Sequence, residues 1–110
     1  MKTFFGGTFI EKEKLKEAGI NYPIKLEYYK QINEDDINSN GKAKYGITIV
    51  KTEYIPDNLK VETKDIKYIT NDEIEENRIL NIFKENQVTL INSEEVISDL
   101  FSSRKLNVLN

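Results

Sequence analysis

Residues 69–74 and 91–96 carry the same local instruction twice, Ile-Thr-Asn-Asp-Glu-Ile and Ile-Asn-Ser-Glu-Glu-Val. Each reads as a helix start. Thr70 and Asn92 stand where an N-cap oxygen accepts from a free backbone N–H. Glu73 and Glu95 follow three residues on, where a carboxylate can reach back to the amide of the cap. Ile69 with Ile74, and Ile91 with Val96, have the spacing of a hydrophobic staple. The chain is therefore expected to close with two short helices. The first is expected over about 71–85, with Ile79, Leu80, Ile82 and Phe83 on one face. Asp72, Glu73, Glu75 and Glu76 load its opening turns with negative charge, which suits the helix dipole and a solvated surface. The second is expected over 93–102, with Val96, Ile97, Leu100 and Phe101 as its buried stripe.

Upstream the period changes to two. Between Tyr22 and Ile32, Ile24, Leu26, Tyr28 and Ile32 share one face, interrupted by Lys30, and Lys25, Glu27, Tyr29 and Gln31 share the other. Pro23 sits at the start, where a missing N–H is tolerated. Residues 33–42 are polar and end in the turn pair Asn40-Gly41. A second strand follows over Ala43 to Ile55, with Tyr45, Ile47 and Ile49 on one face and Val50, Thr52 and Tyr54 on the other. Pro56-Asp57-Asn58 turns the chain into a third strand over Leu59 to Tyr68. Its phase shifts between Thr63 and Ile66, which predicts a bulge or an early exit. The fold expected is α+β: a three-stranded antiparallel meander followed by two C-terminal helices packed on one face. Residues 22–103 form the single domain of this reading. Residues 1–21 are an N-terminal arm with a short helix from Glu11 to Ala18, closed by Gly19, and residues 104–110 are a frayed tail.

Composition excludes more than it assigns. The 110 residues contain neither cysteine nor histidine. Disulfides, thiolate chemistry and zinc–thiolate sites need the first, and the commonest general base and transition-metal ligand is the second. A net charge of −3 offers no electrostatic footprint for nucleic acid or an anionic membrane. The first ten residues lack a continuous apolar segment and Glu11 follows at once, so no signal peptide is read there. No apolar run approaches a membrane span. The cytoplasm is the expected compartment.

The order of features resembles a family of short, uncharacterised bacterial proteins, clostridial in type and described as a domain of unknown function. Tyr45-Gly46-Ile47-Thr48-Ile49 carries the likeness first, then the helix through Ile79, Leu80 and Phe83. Asn86-Gln87-Val88 and the closing Glu95-Val96-Ile97-Ser98-Asp99-Leu100-Phe101 continue it. The resemblance covers roughly residues 22–103 and leaves the first 21 outside. A proline expected after Val88-Thr89 is Leu90 here. What the resemblance implies is the fold and a cytoplasmic bacterial origin, with no activity or functional residues attached.

Asp36-Ile37-Asn38-Ser39-Asn40-Gly41 matches the first half of a calcium loop, but Ile47 stands where the bidentate carboxylate belongs. A hairpin turn explains it better. The acidic pairs at residues 34–36, 72–73, 75–76 and 94–95 are adjacent in sequence, whereas a glycosidase dyad must face across a cleft. Capping and solvation explain them better. The serines have no histidine to activate them. A helix-turn-helix reading fails because Glu94, Glu95 and Asp99 would press against phosphates. No catalytic, metal or cofactor residue is therefore expected, and no nucleic-acid or membrane partner. Of the six tyrosines, Tyr29 and Tyr54 fall on the sheet face away from the helices, where they would anchor a protein partner. The function expected is a small non-catalytic binding or regulatory module. The alternatives are an acidic inhibitor that mimics nucleic acid, and an enzyme using carboxylates alone.

Overall fold

The computed structural model describes residues 1–11, 22–33 and 43–109, with side chains as far as Ser102. Its elements in chain order are β1 (Lys2–Ile10), β2 (Ile24–Ile32), β3 (Tyr45–Ile55), β4 (Asn58–Thr70), α1 (Glu73–Glu85) and α2 (Ser93–Leu109). The strands form one antiparallel meander in the order β1-β2-β3-β4. The α+β class and the two closing helices are as the sequence indicates. The sheet has four strands, not three. The segment read as an arm supplies the extra one, Lys2–Ile10, paired along β2. Its alternation is hidden by a bulge between Phe4 and Gly6. Phe5 packs on the core, while Phe4 lies exposed beside Tyr29. The apolar period is thereby reset in mid-strand. The helix expected over 11–18 and the calcium-like loop at 36–41 fall largely or wholly outside the described residues.

One sheet face carries the core. Ile24, Leu26 and Tyr28 from β2 and Ile47 and Ile49 from β3 meet Ile79, Leu80 and Phe83 of α1, all at most 1% exposed. Val96, Ile97, Leu100 and Phe101 of α2 pack half-buried against that cluster. The Tyr28 hydroxyl donates to the Val88 carbonyl at 2.8 Å, and its ring meets Phe83 edge-on at 6.2 Å. α1 ends in a Schellman turn. Gln87 takes a left-handed conformation at φ 51°. The Val88 N–H donates to Phe83 O at 2.9 Å, and the Gln87 N–H to Lys84 O at 3.3 Å. α2 continues well past Ser102, as far as Leu109.

Neither helix start is built as the repeated signal implies. Thr70 still pairs with Tyr45 at the end of β4, so its backbone belongs to the sheet. The N-cap of α1 is Asp72, whose carboxylate accepts from the Ile74 N–H at 3.0 Å. Thr70 acts one step earlier, accepting from the Asp72 N–H at 3.1 Å. This two-residue shift turns Ile74 outward, 79% exposed, and carries Glu76 inward. At α2 the Asn92 carbonyl accepts the first helical bond, from the Val96 N–H at 3.1 Å. Its side-chain oxygen turns back and accepts from the Thr89 N–H and hydroxyl at 2.8 and 3.0 Å. Ile91 is 93% exposed, so it does not staple onto Val96.

The bulge expected in the last strand lies after Ile66 rather than before it. The pairs Ile47–Ile66 and Tyr45–Thr70 leave Lys67, Tyr68 and Ile69 opposite Gly46. A Cβ built on Gly46 would overlap the carbonyl oxygens of Ile66 and Lys67. Only glycine permits that approach. The Asn33 amide donates to the Lys67 carbonyl and holds the bulge from the other side. Among the described residues, no helix is long and apolar enough to cross a membrane.

Candidate interaction face and a buried carboxylate

The sheet face away from the helices is built by the residues that alternate with the core. Register places Phe4 beside Tyr29, Tyr29 beside Thr48, and Thr48 beside Asp65. One row further along lie Gly7, Glu27, Val50 and Thr63, and in the next Phe9, Lys25, Thr52 and Val61. Tyr54 and Leu59 close the face at the β3–β4 turn. Phe4, Phe9, Leu59 and Val61 are each more than half exposed, and Tyr54 is 36% exposed. Tyr29 is half-buried. The two tyrosines singled out in the sequence thus share this face, each beside an aromatic residue of β1. Phe4 meets Tyr29 at 5.5 Å between ring centroids, and Phe9 meets Tyr54 at 5.9 Å. Phe4, Gly7, Thr8, Phe9, Lys25 and Tyr54 line an open depression of about 480 Å³, with no carboxylate among them.

Charges of opposite sign pair on this face. Lys25 lies 3.9 Å from Glu27, and Lys2 lies 3.0 Å from Asp65. The Thr48 hydroxyl stands 2.6 Å from Asp65 Oδ1 and 3.0 Å from Gln31 Oε1, so its one proton serves both. That hydroxyl foremost, and then Lys2, hold the Asp65 carboxyl below the usual carboxylate range. The Tyr29 hydroxyl donates to Glu27 at 3.2 Å. Desolvation, then the Glu27 charge, raises its pKa.

The polarity of the sheet reverses along its length. Near α1 the apolar residues point toward the helices. Toward the β3–β4 turn the helix-side positions become Lys51, Glu53, Lys60 and Glu62, while the opposite side carries Val50, Tyr54, Leu59 and Val61. A hairpin end standing in water on both sides has no need of that apolar set.

The second feature lies under the start of α1. Glu76 is fully buried, and among the described residues neither carboxylate oxygen has a hydrogen-bond partner of good geometry; the Gln31 backbone is a nearby donor. Burial pushes its pKa up to about 7, reinforced slightly by Glu73 and opposed by Lys30 and the nearby Gln31 backbone. Lys30 reaches from β2 to donate to Glu73 at 2.7 Å. Glu75 is also buried and takes Arg78 in a two-pronged pair at 2.6 and 3.2 Å. The reading of Glu75 and Glu76 as solvated capping charges is therefore corrected. The missed signal was present: Glu76, Ile79, Leu80 and Phe83 have the i, i+3, i+4, i+7 spacing of one buried stripe. The acidic residues 34–36 lie outside the described set. Asp72, Glu73, Glu94 and Glu95 are exposed. Among the described residues, no group of three or more acidic side chains is placed to hold a metal ion.

A family model described as a family of unknown function, DUF6514, matches residues 7–103. The match takes in the end of β1, which the likeness read in the sequence left out. No curated protein and no solved structure matches the chain.

Proposed function

Because the chain belongs to a family of unknown function, DUF6514, we propose its role from its surface: a small non-catalytic binding or regulatory module that acts through protein contacts on the open sheet face. The observation that carries this reading is the gathering of Phe4, Phe9, Tyr54, Leu59 and Val61 on one face, all exposed. Large exposed apolar patches on small domains mark interaction sites, and aromatic residues supply most of the energy at such sites. Tyr29 and Tyr54 are the anchors of this reading, with Phe4 and Phe9 beside them. A cytoplasmic, bacterial setting belongs to the same proposal and is supported by the cysteine-free composition. The acidic-mimic alternative is weakened by the burial of Glu75 and Glu76, two of the carboxylates it would display.

The test is affinity capture from a lysate of the organism that encodes the chain. The wild-type protein is compared with the double variant Tyr29→Ala, Tyr54→Ala, and circular dichroism checks that the variant folds. Retention of the same partners by a folded double variant would move the site off this face.

A further inference from the structure

We propose that the open sheet face is covered by a second copy of this chain, the two sheets stacking face to face about a twofold axis. This rests on the reading of that face as the interaction surface and names its occupant.

Three observations point to a like partner. The first is charge. Lys2 with Asp65 and Lys25 with Glu27 pair within the face, and Lys67 acts on Asp65 as well, so among the described residues charges of both signs are mixed there and neither sign stands alone. A face with unbalanced charge calls for a partner of opposite sign. An apolar face with both signs paired inside it meets its own copy without the repulsion of two like-charged patches. The second is shape. The molecule measures 45 × 37 × 18 Å, with a radius of gyration of 15.6 Å. A compact chain of this length has a radius of about 13 Å. Its accessible surface is 7301 Å². A compact monomer of this mass exposes about 6,300 Å². The described residues form a slab of one sheet and one helical layer, and two slabs stacked on their open faces would be nearly as thick as they are wide.

The third is area. Four strands spaced ~4.8 Å apart, each about nine residues at ~3.4 Å rise, give a face of roughly 600 Å² in projection. Side-chain relief brings the accessible area toward the ~800 Å² per partner that a stable interface buries. Two stacked sheets lie ~10 Å apart and interdigitate their inner side chains. The mixed Val50, Thr52, Val61 and Thr63 surface between the Phe9–Tyr54 and Phe4–Tyr29 pairs presents small residues between large ones, as such packing requires. The polarity reversal along β3 and β4 takes its meaning here. The apolar residues at the hairpin end face the second copy, and the charged ones face water.

Sedimentation equilibrium on the full chain, from about 1 to 200 µM, tests the proposal. The wild type should be a dimer in the upper part of that range. Val61→Lys and Phe9→Lys should each weaken self-association about tenfold or more. Ile74→Lys, on the exposed helix side, should leave it unchanged. The absence of native cysteine supplies a second readout that does not depend on a disruptive variant. Single substitutions Val50→Cys, Thr52→Cys and Thr63→Cys place a thiol within the face, and mild oxidation should link two copies through at least one of them but not through Ile74→Cys. A wild type monomeric throughout the range overturns the proposal, as does a dimer indifferent to both face lysines and linked through none of the face cysteines. If the wild type is monomeric while Tyr29→Ala, Tyr54→Ala still loses captured partners, the interaction face stands and its occupant is a different protein. If neither dimer nor captured partner depends on the face, both readings fall together.

Discussion

The two faces of one sheet come from the same strands, residue by residue in alternation, and end in opposite environments. On the helix side, Ile24, Leu26, Tyr28, Ile47 and Ile49 are at most 1% exposed. On the other side, Phe4, Phe9, Leu59 and Val61 are more than half exposed. Hydrophobicity does not separate the two sets, because phenylalanine, leucine and valine stand on the open side. What separates them is the helical layer. α1 brings Ile79, Leu80 and Phe83 onto one face, and among the described residues no second layer covers the other. A period of two states that a strand has two faces, and the partner element decides which face is inside.

The largest effect should fall where the layers meet. Phe83→Ala removes a fully buried ring that packs edge-on against Tyr28 and leaves the backbone bond of the Schellman turn in place. It should cost ~3–5 kcal/mol in urea unfolding. Phe9→Ala, a ring of the same size on the open face, should cost less than ~1 kcal/mol in dilute solution. Similar losses at both positions would mean that the open face is already covered within the single chain.

The buried carboxylate gives the helix-covered face a pH dependence between 4.5 and about 7, opposite in sign to that of Asp65 on the open face. Glu76 is raised from 4.5 to about 7, so the folded chain holds a proton that the unfolded chain has released across that interval. Stability is then highest below the unfolded pKa, falls as pH rises from 4.5 toward 7, and levels off above. The full loss is of order 3 kcal/mol. Glu76→Gln should flatten the profile in this window and stabilise the chain at pH 7.5, measured by urea midpoints at each pH. Asp65 and Glu73 have pKa values lowered from 3.8 and 4.5, so their own losses come as pH falls below those values, under the window in which Glu76 acts. An unchanged profile in the variant would show that Glu76 is not the titrating group.

That carboxylate also shows where the sequence was legible and where it was not. The α+β class, the core positions of β2 and β3, and the stripe Ile79, Leu80, Phe83 follow from period alone. β1 was missed because its bulge at Phe5-Gly6 resets the alternation, and a Gly-Gly pair weakens any strand signal. Glu76 was missed because a carboxylate in a first helical turn has a ready explanation in the dipole. The cap of α1 was misplaced because Thr70 and Asp72 are both good N-caps two residues apart, while Asn92 stands at the cap position expected for α2 with its side chain turned back to Thr89. Only the pairing of Thr70 with Tyr45 decides between them, and that contact is 25 residues distant in sequence. Tyr29 and Tyr54 could be placed on the open face from alternation. Their neighbours Phe4 and Phe9 could not, since those depend on β1.

The choice between caps is itself measurable and should be smaller than the core and carboxylate effects. Asp72→Ala removes the oxygen that accepts from the Ile74 N–H and should cost about 1 kcal/mol. Thr70→Ala removes only an acceptor ahead of the helix and should cost about half as much. Reversal of that order would return the cap to Thr70 and place the helix start two residues earlier.

The smallest effect should come from polar substitution at the open hairpin end, and it sharpens the comparison most. Leu59 and Val61 are 60% and 57% exposed, and no helix of the described residues lies over them. In a chain that stays monomeric, Leu59→Ser with Val61→Thr should change stability by less than ~0.5 kcal/mol, because little apolar area returns to water on unfolding. If a second copy covers the face, stability becomes concentration-dependent. The wild-type midpoint should then rise between about 1 and 100 µM, while that of the double variant should not. The dilute limit tests the exposure of the face in one chain, and the difference between the two concentrations tests whether another chain closes it. A double variant that is destabilised equally at both concentrations would place Leu59 and Val61 in intramolecular packing and remove the asymmetry between the two faces.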